Sequence, residues 1–313
     1  MKINEALLTK QIWLMDGAMG TELERRGVPL PEPLWSAAAL FSHPDVVEQI
    51  HYEYVKAGSN FITTCTFRTS EYTFQKPKSR ELLAQMGYKD ATYRDAIKRA
   101  VNLARKAIER AEPKHPVFLL GGIGPMEDCF HPEKAPEIEV GYAVHKSTVM
   151  ALMEEKVDAI LFETLGSFQE FWAVLSLHYH RYPLCMFSLM LKDSQSMLDG
   201  KNLIEMFPSI VQFSPLALCF NCTPPEIIAN ALYQLPPHII RGYTFGVYPN
   251  CGFSLERPAV CGIPPEVFAD TIEVLFYRRD YPAKSQVRIY GGCCGTTPEH
   301  IDRLRQKISR WIL

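Results

Sequence analysis

The sequence predicts an α/β fold, a single (β/α)8 barrel of the TIM type. Short stretches rich in β-branched and aromatic residues alternate with longer amphipathic stretches eight times within 313 residues. Strands that alternate with helices favour a parallel sheet, and eight such units close a barrel. No linker rich in Ser, Gly or Pro divides the chain, so we expect one domain over residues 1–313.

The strands are predicted where short runs combine apolar, β-branched and aromatic residues. Glycine or a polar residue ends most of these runs, as expected where a strand passes into a loop. In chain order, the predicted strands are IWLM (12–15), NFITTCTF (60–67), PVFLLGGIG (116–124), VDAILFET (157–164), PLCMFSLML (183–191), PLALCFNC (215–222), RGYTFGVYPN (241–250) and VRIYGGCCG (287–295).

The helices are predicted where apolar residues recur at helical spacing after each strand. Ser167 and Thr297 precede two of these stretches and are suited to the N-cap position. Pro298 follows Thr297 at the first helical position, which tolerates proline. The predicted helices cover 43–59, 91–111, 138–156, 167–181, part of 200–213, 224–235, 264–280 and 297–313.

A doubly wound open sheet is the structural alternative to the barrel. The dinucleotide-binding version of that fold carries a G-x-G-x-x-G turn, and GGIGP (121–125) does not have this spacing. Pro125 stands where a phosphate-binding helix would begin, and the sequence has no G-K-[ST] segment of a P-loop. The barrel is therefore favoured.

The composition excludes several classes of protein. The 33 Lys and Arg are balanced by 35 Asp and Glu, which argues against binding to nucleic acid or to an anionic membrane. Hydrophobic residues make up 47% of the chain, so disorder as the main state is excluded. No apolar run approaches the roughly 20 residues of a membrane-spanning helix. The polar N-terminus does not resemble a signal peptide, and we expect a cytoplasmic protein.

Candidate functional residues cluster at the predicted strand ends. The active site of a (β/α)8 barrel lies at the C-terminal ends of its strands. Three thiols and two carboxylates are predicted to converge on this mouth: Asp16, Glu163, Cys222, Cys293 and Cys294.

The thiols suggest a metal site. Adjacent residues on a regular strand point to opposite faces, so Cys293 and Cys294 need a bend to reach one ion, and the flanking glycines permit it. Cys222 would supply a third thiolate. Three ligands and an open fourth position are typical of catalytic zinc, and an all-sulfur set favours Zn2+. The alternative, small apolar residues in a crowded barrel end, is less favoured because of the glycines.

Other cysteines are not expected in the metal site. Cys219 lies three residues before Cys222, so strand alternation predicts that it faces the helices. Cys65 lies among threonines nearer the mouth. Cys129 and His131 indicate a second metal site only weakly.

Seven segments occur in order along essentially the whole chain: LMDGAMGTEL (14–23), AGSNFITTCTF (57–67), GGIGP (121–125), LFETLGSFQE (161–170), FNCTPP (220–225), YPNCG (248–252) and GGCCGTTPEHI (291–301). In these segments the chain resembles the homocysteine S-methyltransferases. This family shares the homocysteine-binding barrel of cobalamin-dependent methionine synthase and of betaine–homocysteine methyltransferase. The last segment is highly specific.

The resemblance implies an enzyme that transfers a methyl group to the thiol of homocysteine, giving methionine. The zinc ligands of the family map to Cys222, Cys293 and Cys294. The chemistry needs no general base in the methyl-transfer step, so no catalytic side chain is assigned.

The resemblance also suggests how homocysteine is bound. Asp16 and Glu163 are suited to its ammonium group, although Asp16 could instead be a turn residue before Gly17. Backbone N–H groups that begin at Gly17 could bind its carboxylate. Asn221 could orient the zinc site from behind, or could simply cap the end of its strand.

The methyl donor is indicated by two positions. Betaine enzymes of the family carry a Tyr where this chain has Thr164 and an aromatic residue at the position of Arg68. An arginine repels a quaternary ammonium group. We therefore expect a sulfonium donor, S-methylmethionine first and S-adenosylmethionine as a weaker one. Residues 126–142 depart from the family pattern and are expected to shape the donor pocket.

Two alternatives remain open. No D-x-H-x-x-G cobalamin segment occurs in the sequence, so a complete cobalamin-dependent methionine synthase is not expected. The chain could still be a homocysteine-binding subunit that works with a corrinoid protein. It could also be a non-catalytic zinc- or thiol-binding barrel that senses homocysteine, although the strand-end carboxylates favour the enzyme.

Overall fold

Eight parallel strands form one sheet in the computed structural model, which describes residues 1–9, 11–179, 184–211, 213–240, 243–252 and 262–311. Successive strands are neighbours, and the last strand pairs with the first. A bridge between Met15 and Phe61 joins the first strand to the second. The predicted (β/α)8 barrel is therefore confirmed. Its strands are β1 (Trp13–Leu14), β2 (Phe61–Thr63), β3 (Phe118–Ile123), β4 (Ala159–Leu165), β5 (Cys185–Leu189), β6 (Ala217–Asn221), β7 (Phe245–Tyr248) and β8 (Val287–Tyr290).

Every strand is shorter than predicted. Seven strands end before the predicted residue, because the chain leaves the sheet where the mouth begins, whereas β4 starts later and runs to Leu165. In the second strand, the predicted run reaches Phe67, but β2 ends at Thr63 and the next residues turn, with Thr66 N–H donating to the Thr64 carbonyl at 2.7 Å. Positions 183, 241 and 242 of the predicted strands lie outside the described residues.

The helices surround the sheet, and the long ones follow the prediction. Short helices near the mouth were missed because five to seven residues show too little periodicity to be recognised. The helices are α1 (Ile3–Leu8), α2 (Gly20–Arg25), α3 (Ser36–Ser42), α4 (Pro44–Lys56), α5 (Glu71–Gln75), α6 (Pro77–Gln85), α7 (Tyr93–Ala111), α8 (Ile138–Glu154), α9 (Phe168–Tyr179), α10 (Leu203–Val211), α11 (Pro225–Gln234), α12 (Pro237–Ile240), α13 (Pro265–Ile272) and α14 (Pro298–Trp311).

The end of the barrel opposite the mouth is closed by apolar packing. Ile3 and Leu7 of α1 are buried against the barrel interior. Above them, the rings of Trp13, Phe61 and Phe118 lie with centroids 5.8 to 5.9 Å apart. Because this end is filled, a ligand must enter the barrel from the C-terminal ends of the strands. None of the described helices combines the length and the apolarity needed to cross a membrane.

Candidate active site

A cavity of about 470 Å³ opens at the C-terminal ends of the strands. The structure brings the five residues expected at the mouth into its wall: Asp16, Glu163, Cys222, Cys293 and Cys294. Gly17 also lines it. Asn221 lies just behind this wall and is fully buried.

The three thiols form a compact group. The sulfur atoms of Cys222, Cys293 and Cys294 all lie within 4.8 Å of one another, and those of Cys222 and Cys294 are 3.5 Å apart. Sulfur ligands about 2.3 Å from a tetrahedral zinc ion would be about 3.8 Å apart. Among the described residues, this is the one group of three such side chains close enough to bind a metal ion.

Cys222 reaches the mouth through its backbone conformation. Regular alternation along β6 turns Cys219 into the barrel interior, where it is buried beside Leu161 and Met186. The prediction that Cys219 faces the helices is therefore wrong. Cys222 should then face the helices, but it follows the last residue of β6 and adopts φ 50°, in the left-handed region. This left-handed conformation, which the regular alternation of a strand does not predict, directs the Cys222 side chain to the cavity.

Cys293 and Cys294 lie beyond the end of β8 rather than on it. The backbone N–H of Cys293 donates to the carbonyl of Pro249 at 2.8 Å. Gly292 is needed for space, since a Cβ there would lie 2.5 Å from the side chain of Thr296. Gly295 is needed for its left-handed φ of 83°. The glycines thus permit the bend, although only Gly295 supplies it through a positive φ.

Asn221 joins the thiols to the rest of the barrel. Its side-chain oxygen accepts hydrogen bonds from Thr164 N (3.1 Å) and from the Ser188 hydroxyl (2.7 Å). Its amide nitrogen donates to the Thr164 hydroxyl at 2.9 Å and points at Cys293 Sγ at 3.6 Å. These contacts fix the amide, so it can orient the sulfur of Cys293.

The three thiols share protons unequally. Hydrogen bonds from the thiols of Cys222 and then Cys294 hold the pKa of Cys293 well below its usual range, and Asn221 adds to this effect. The pKa of Cys222 is correspondingly raised by its hydrogen bond to Cys293. The group therefore favours a thiolate at Cys293 and is a natural site for a cation.

The two carboxylates lie next to this group. Asp16 accepts hydrogen bonds from Thr63 N at 2.7 Å and from the Thr63 hydroxyl at 3.1 Å, yet burial raises its pKa to about 7. Burial also raises the pKa of Glu163 well above its usual range, and the negative charges of Cys293 and Asp16 add to this. The carboxylate of Glu163 accepts no hydrogen bond from a described residue. An ammonium group bound here would stabilise both carboxylates.

The loop after Asp16 offers fewer free N–H groups than expected. The N–H of Ala18 donates to the Thr296 hydroxyl at 3.2 Å, so it is not available to a ligand. Gly17 N–H has no hydrogen-bond partner in the described part of the chain. Gly17 also needs its lack of a side chain, because a Cβ there would lie 2.7 Å from the Tyr54 hydroxyl.

The two positions that indicated the methyl donor have different surroundings. Thr164 is buried, adopts φ 62° and is hydrogen-bonded to Asn221. Arg68 lines the cavity, and its Nη1 donates to the carbonyls of Pro125 at 3.2 Å and Glu127 at 2.6 Å. The segment that departs from the family pattern therefore holds Arg68 at the mouth.

Cys65, Cys129 and His131 do not join the thiol group. Cys65 donates to the carbonyl of Ser36 at 3.5 Å. Cys129 lines the cavity but lies outside the group of metal-binding side chains. His131 lies 2.9 Å from Glu133, away from the thiols.

Sequence reasoning missed the residues that support the site. Thr63 holds Asp16, and Thr296 holds Ala18 while its hydroxyl donates to the Cys293 carbonyl at 2.7 Å. Thr63 could have been found from the sequence, because it is the polar residue that follows the apolar pair Phe61 and Ile62 at the end of β2. No local pattern marked Thr296, because its contact with Ala18 spans 278 positions of the chain.

Comparisons with known proteins identify the family of this chain. A family model of the homocysteine S-methyltransferases matches residues 13–308. A homocysteine S-methyltransferase of Escherichia coli is 31% identical over 96% of this chain and 97% of its own length. The homocysteine S-methyltransferase YbgG of Bacillus subtilis is 27% identical over 99% of this chain and 97% of its own length.

Solved structures extend the likeness to three dimensions. The metallated form of the homocysteine methyltransferase MmuM from Escherichia coli superimposes with a TM-score of 0.78 at 29% identity, over 98% of this chain and 100% of that one. Its oxidized form gives a TM-score of 0.79 over the same fractions of the two chains. The chain thus belongs to the homocysteine S-methyltransferase family, as an enzyme that transfers a methyl group to homocysteine.

Proposed function

We propose that this enzyme transfers a methyl group from a sulfonium, S-methylmethionine first and S-adenosylmethionine less well, to homocysteine at a zinc site. The observation that carries the proposal is the trio of sulfur atoms within 4.8 Å of one another, beside two carboxylates in one cavity. The homocysteine-binding barrel of this proposal extends over residues 1–313.

The chemistry of the donor set supports zinc as the metal. Three thiolates, from Cys222, Cys293 and Cys294, suit a borderline-soft ion, and three protein ligands leave one position for a substrate. Zinc bound there would lower the pKa of the homocysteine thiol, so that it reacts as a thiolate at neutral pH. Asn221 would keep Cys293 in place for this ion.

Homocysteine would be oriented by the groups beside the thiols. Glu163 and Asp16 would bind its ammonium. The positive charge would favour the ionised form of both carboxylates, which burial disfavours. The N–H of Gly17 would bind its carboxylate. The homocysteine sulfur would then point towards the three cysteines, with its reactive lone pair facing the open part of the cavity.

The methyl-transfer step needs no further proton donor or acceptor. The homocysteine thiol loses its proton to solvent water before the step, and the thiolate forms a bond to the methyl carbon. The bond from that carbon to the sulfonium sulfur breaks, and its electron pair leaves with a neutral thioether. The protein therefore contributes alignment of three atoms, which is a large part of many rate enhancements.

The experiment measures metal content and methionine formation in the purified enzyme. Homocysteine is supplied with S-methylmethionine, S-adenosylmethionine, betaine or methylcobalamin at equal concentration. We expect one zinc per chain and the fastest methionine formation from S-methylmethionine. A rate from betaine that equals it would refute the donor, and activity only with methylcobalamin would instead indicate a subunit that works with a corrinoid protein. Binding of zinc and homocysteine without methionine from any donor would favour a sensor.

A further inference from the structure

The charges that line the active-site cavity are unbalanced. Among the described residues of its wall, Arg68 is the one basic side chain. Five acidic residues line the same cavity: Asp16, Glu24, Glu32, Asp128 and Glu163. The two substrates of the proposed reaction carry two ammonium groups, a sulfonium and two carboxylates. Cationic groups thus have several candidate partners, whereas a substrate carboxylate has a single cationic side chain.

Arg68 uses only one end of its guanidinium group within the protein. Nη1 donates to the carbonyls of Pro125 and Glu127, and more weakly to that of Met126 at 3.5 Å. Nε is buried and has no acceptor in the described structure. No described residue accepts a hydrogen bond from Nη2 or forms an ion pair with Arg68. Because Nε is covered by protein atoms, Nη2 is the nitrogen of Arg68 that a ligand in the cavity can reach. A hydrogen bond from a guanidinium N–H to a carboxylate is charge-assisted and therefore strong.

The carbonyls that hold Arg68 are themselves fixed. The Glu127 carboxylate accepts hydrogen bonds from the Tyr72 hydroxyl and from Lys76 Nζ at 3.0 Å. On the other side, the backbone N–H of Met126 donates to the buried carboxylate of Glu170 at 2.8 Å. Arg68 is therefore placed before a ligand arrives, which lowers the entropy cost of binding.

We propose that Arg68 is the residue that selects the methyl donor, by binding the donor's α-carboxylate through its Nη2. The enzyme would then prefer sulfonium compounds that are amino acids with a free carboxylate. This inference rests on the proposed function, in which the donor is such a sulfonium.

The position of Arg68 favours the donor over homocysteine as its ligand. The groups assigned to homocysteine lie at the strand ends, as Asp16 does directly after the bridge at Met15 and Glu163 does within β4. Arg68 lies in the loop beyond β2 and is held by the loop beyond β3. The donor must approach from this outer part, because the barrel interior below is packed with apolar side chains.

The test compares two donors and three variants of the metal-loaded enzyme. The donors are S-methylmethionine and the same sulfonium without its carboxylate, (3-aminopropyl)dimethylsulfonium. The variants are Arg68→Gln, Arg68→Lys and, as a control, Arg99→Gln. Both arginines lie over aromatic rings: Arg68 Cζ is 5.5 Å from the centroid of Phe67, and Arg99 Cζ is 4.7 Å from that of Tyr88. Arg99 does not line the cavity.

We expect Arg68→Gln to raise the KM for S-methylmethionine about 10- to 100-fold, as for loss of one charged hydrogen bond. The KM for homocysteine should change less than about threefold. The donor without a carboxylate should react equally with the wild type and with Arg68→Gln. Arg68→Lys should fall between them, because lysine keeps the charge but not the planar guanidinium that the carbonyls beyond β3 hold in place. Arg99→Gln should match the wild type.

Other outcomes would overturn the inference. An equal loss with both donors would show that Arg68 only holds the loop, and a raised KM for homocysteine alone would assign its carboxylate to Arg68. If the wild type transfers no methyl group from either sulfonium, the proposed function fails. In that case, calorimetric titration of S-methylmethionine into metal-loaded enzyme without homocysteine tests Arg68 directly. Binding that Arg68→Gln weakens would support the role, and no binding to the wild type would reject it.

Discussion

The two sides of the active-site cavity differ in how far the protein itself satisfies their polar atoms. On the side of β6 and β8, the amide of Asn221 accepts two hydrogen bonds and donates two. On the side of β2 and β4, the carboxylate of Glu163 accepts no hydrogen bond from a described residue, and Arg68 uses Nη1 but not Nη2 within the described structure. A saturated group can only position its neighbours, whereas unsatisfied charges are available to bind a ligand. The difference separates residues that shape the metal site from residues that recognise substrates.

The largest expected effect comes from removing one sulfur atom of the trio. Cys294→Ala should lose most of the bound metal and reduce methionine formation by at least about a thousandfold. The two remaining thiolates bind zinc much more weakly than three do. Metal content measured by atomic emission and turnover with saturating substrates provide the check. Cys129→Ala, a thiol of the same cavity outside the trio, should keep its metal. Full metal content in Cys294→Ala would show that the ligands are misassigned.

The next largest effect is expected on the side of β2 and β4, where polar atoms lack hydrogen-bond partners. Glu163→Gln should reduce kcat/KM for homocysteine by about one to three orders of magnitude, since a charged hydrogen bond of about 1.5–3 kcal/mol or more is lost. Metal content should remain that of the wild type, because Glu163 is not in the thiol group. The comparison between the two sides would fail if Glu163→Gln lost metal, or if its steady-state kinetics were unchanged.

A smaller effect is expected on the side of β6 and β8, where the hydrogen bonds of Asn221 are all made within the protein. Asn221→Ala should weaken metal binding about 10- to 100-fold, as found for groups that orient metal ligands. A competition titration with a chelator measures this change. Ser188→Ala removes one of the hydrogen bonds to Asn221 and should have a smaller effect in the same direction. If Asn221→Ala kept its metal affinity and instead raised the KM for homocysteine, Asn221 would contribute to substrate binding and not to the metal site.

The smallest expected effect is a dependence on pH. Burial raises the pKa of Asp16 to about 7, so this carboxylate is protonated below pH 7 and cannot pair fully with an ammonium. kcat/KM for homocysteine should therefore rise with pH, by about tenfold between pH 6 and pH 8 from this group alone. Asp16→Asn should be less active and should lack this part of the pH dependence. An identical profile in Asp16→Asn would assign the titration to another group.

Asp16 also links pH to stability with a definite sign. Its pKa in the folded protein lies above its value in an unfolded chain, so the folded state binds more protons between about pH 4 and pH 7. The contribution of Asp16 to stability is therefore greatest at low pH and declines as the pH rises through 7. Denaturant unfolding of Asp16→Asn should show a weaker decline over that range.

Much of the fold was predictable because it depends on local periodicity. Eight alternations of strand and helix could be counted from residue spacing, and the closed sheet follows from that count. The short helices α2, α3 and α5 were not predictable, since five to seven residues give no clear period. Strand ends were also too long in the prediction, because the point at which the chain leaves the sheet depends on contacts with neighbouring loops.

The site divides in the same way. The sequence by itself determined which groups could act, because thiols and carboxylates after apolar strands must lie at one mouth of a barrel. Only the tertiary structure decided how they are aimed. Strand alternation holds at Cys219 and breaks at Cys222, where the left-handed backbone reverses the expected direction. The prediction for Cys219 was wrong because its direction was counted back from Cys222. Asn221 points at Cys293 across 72 positions of the chain, a contact that no local spacing encodes and that exists only because β6 and β8 are brought together by folding.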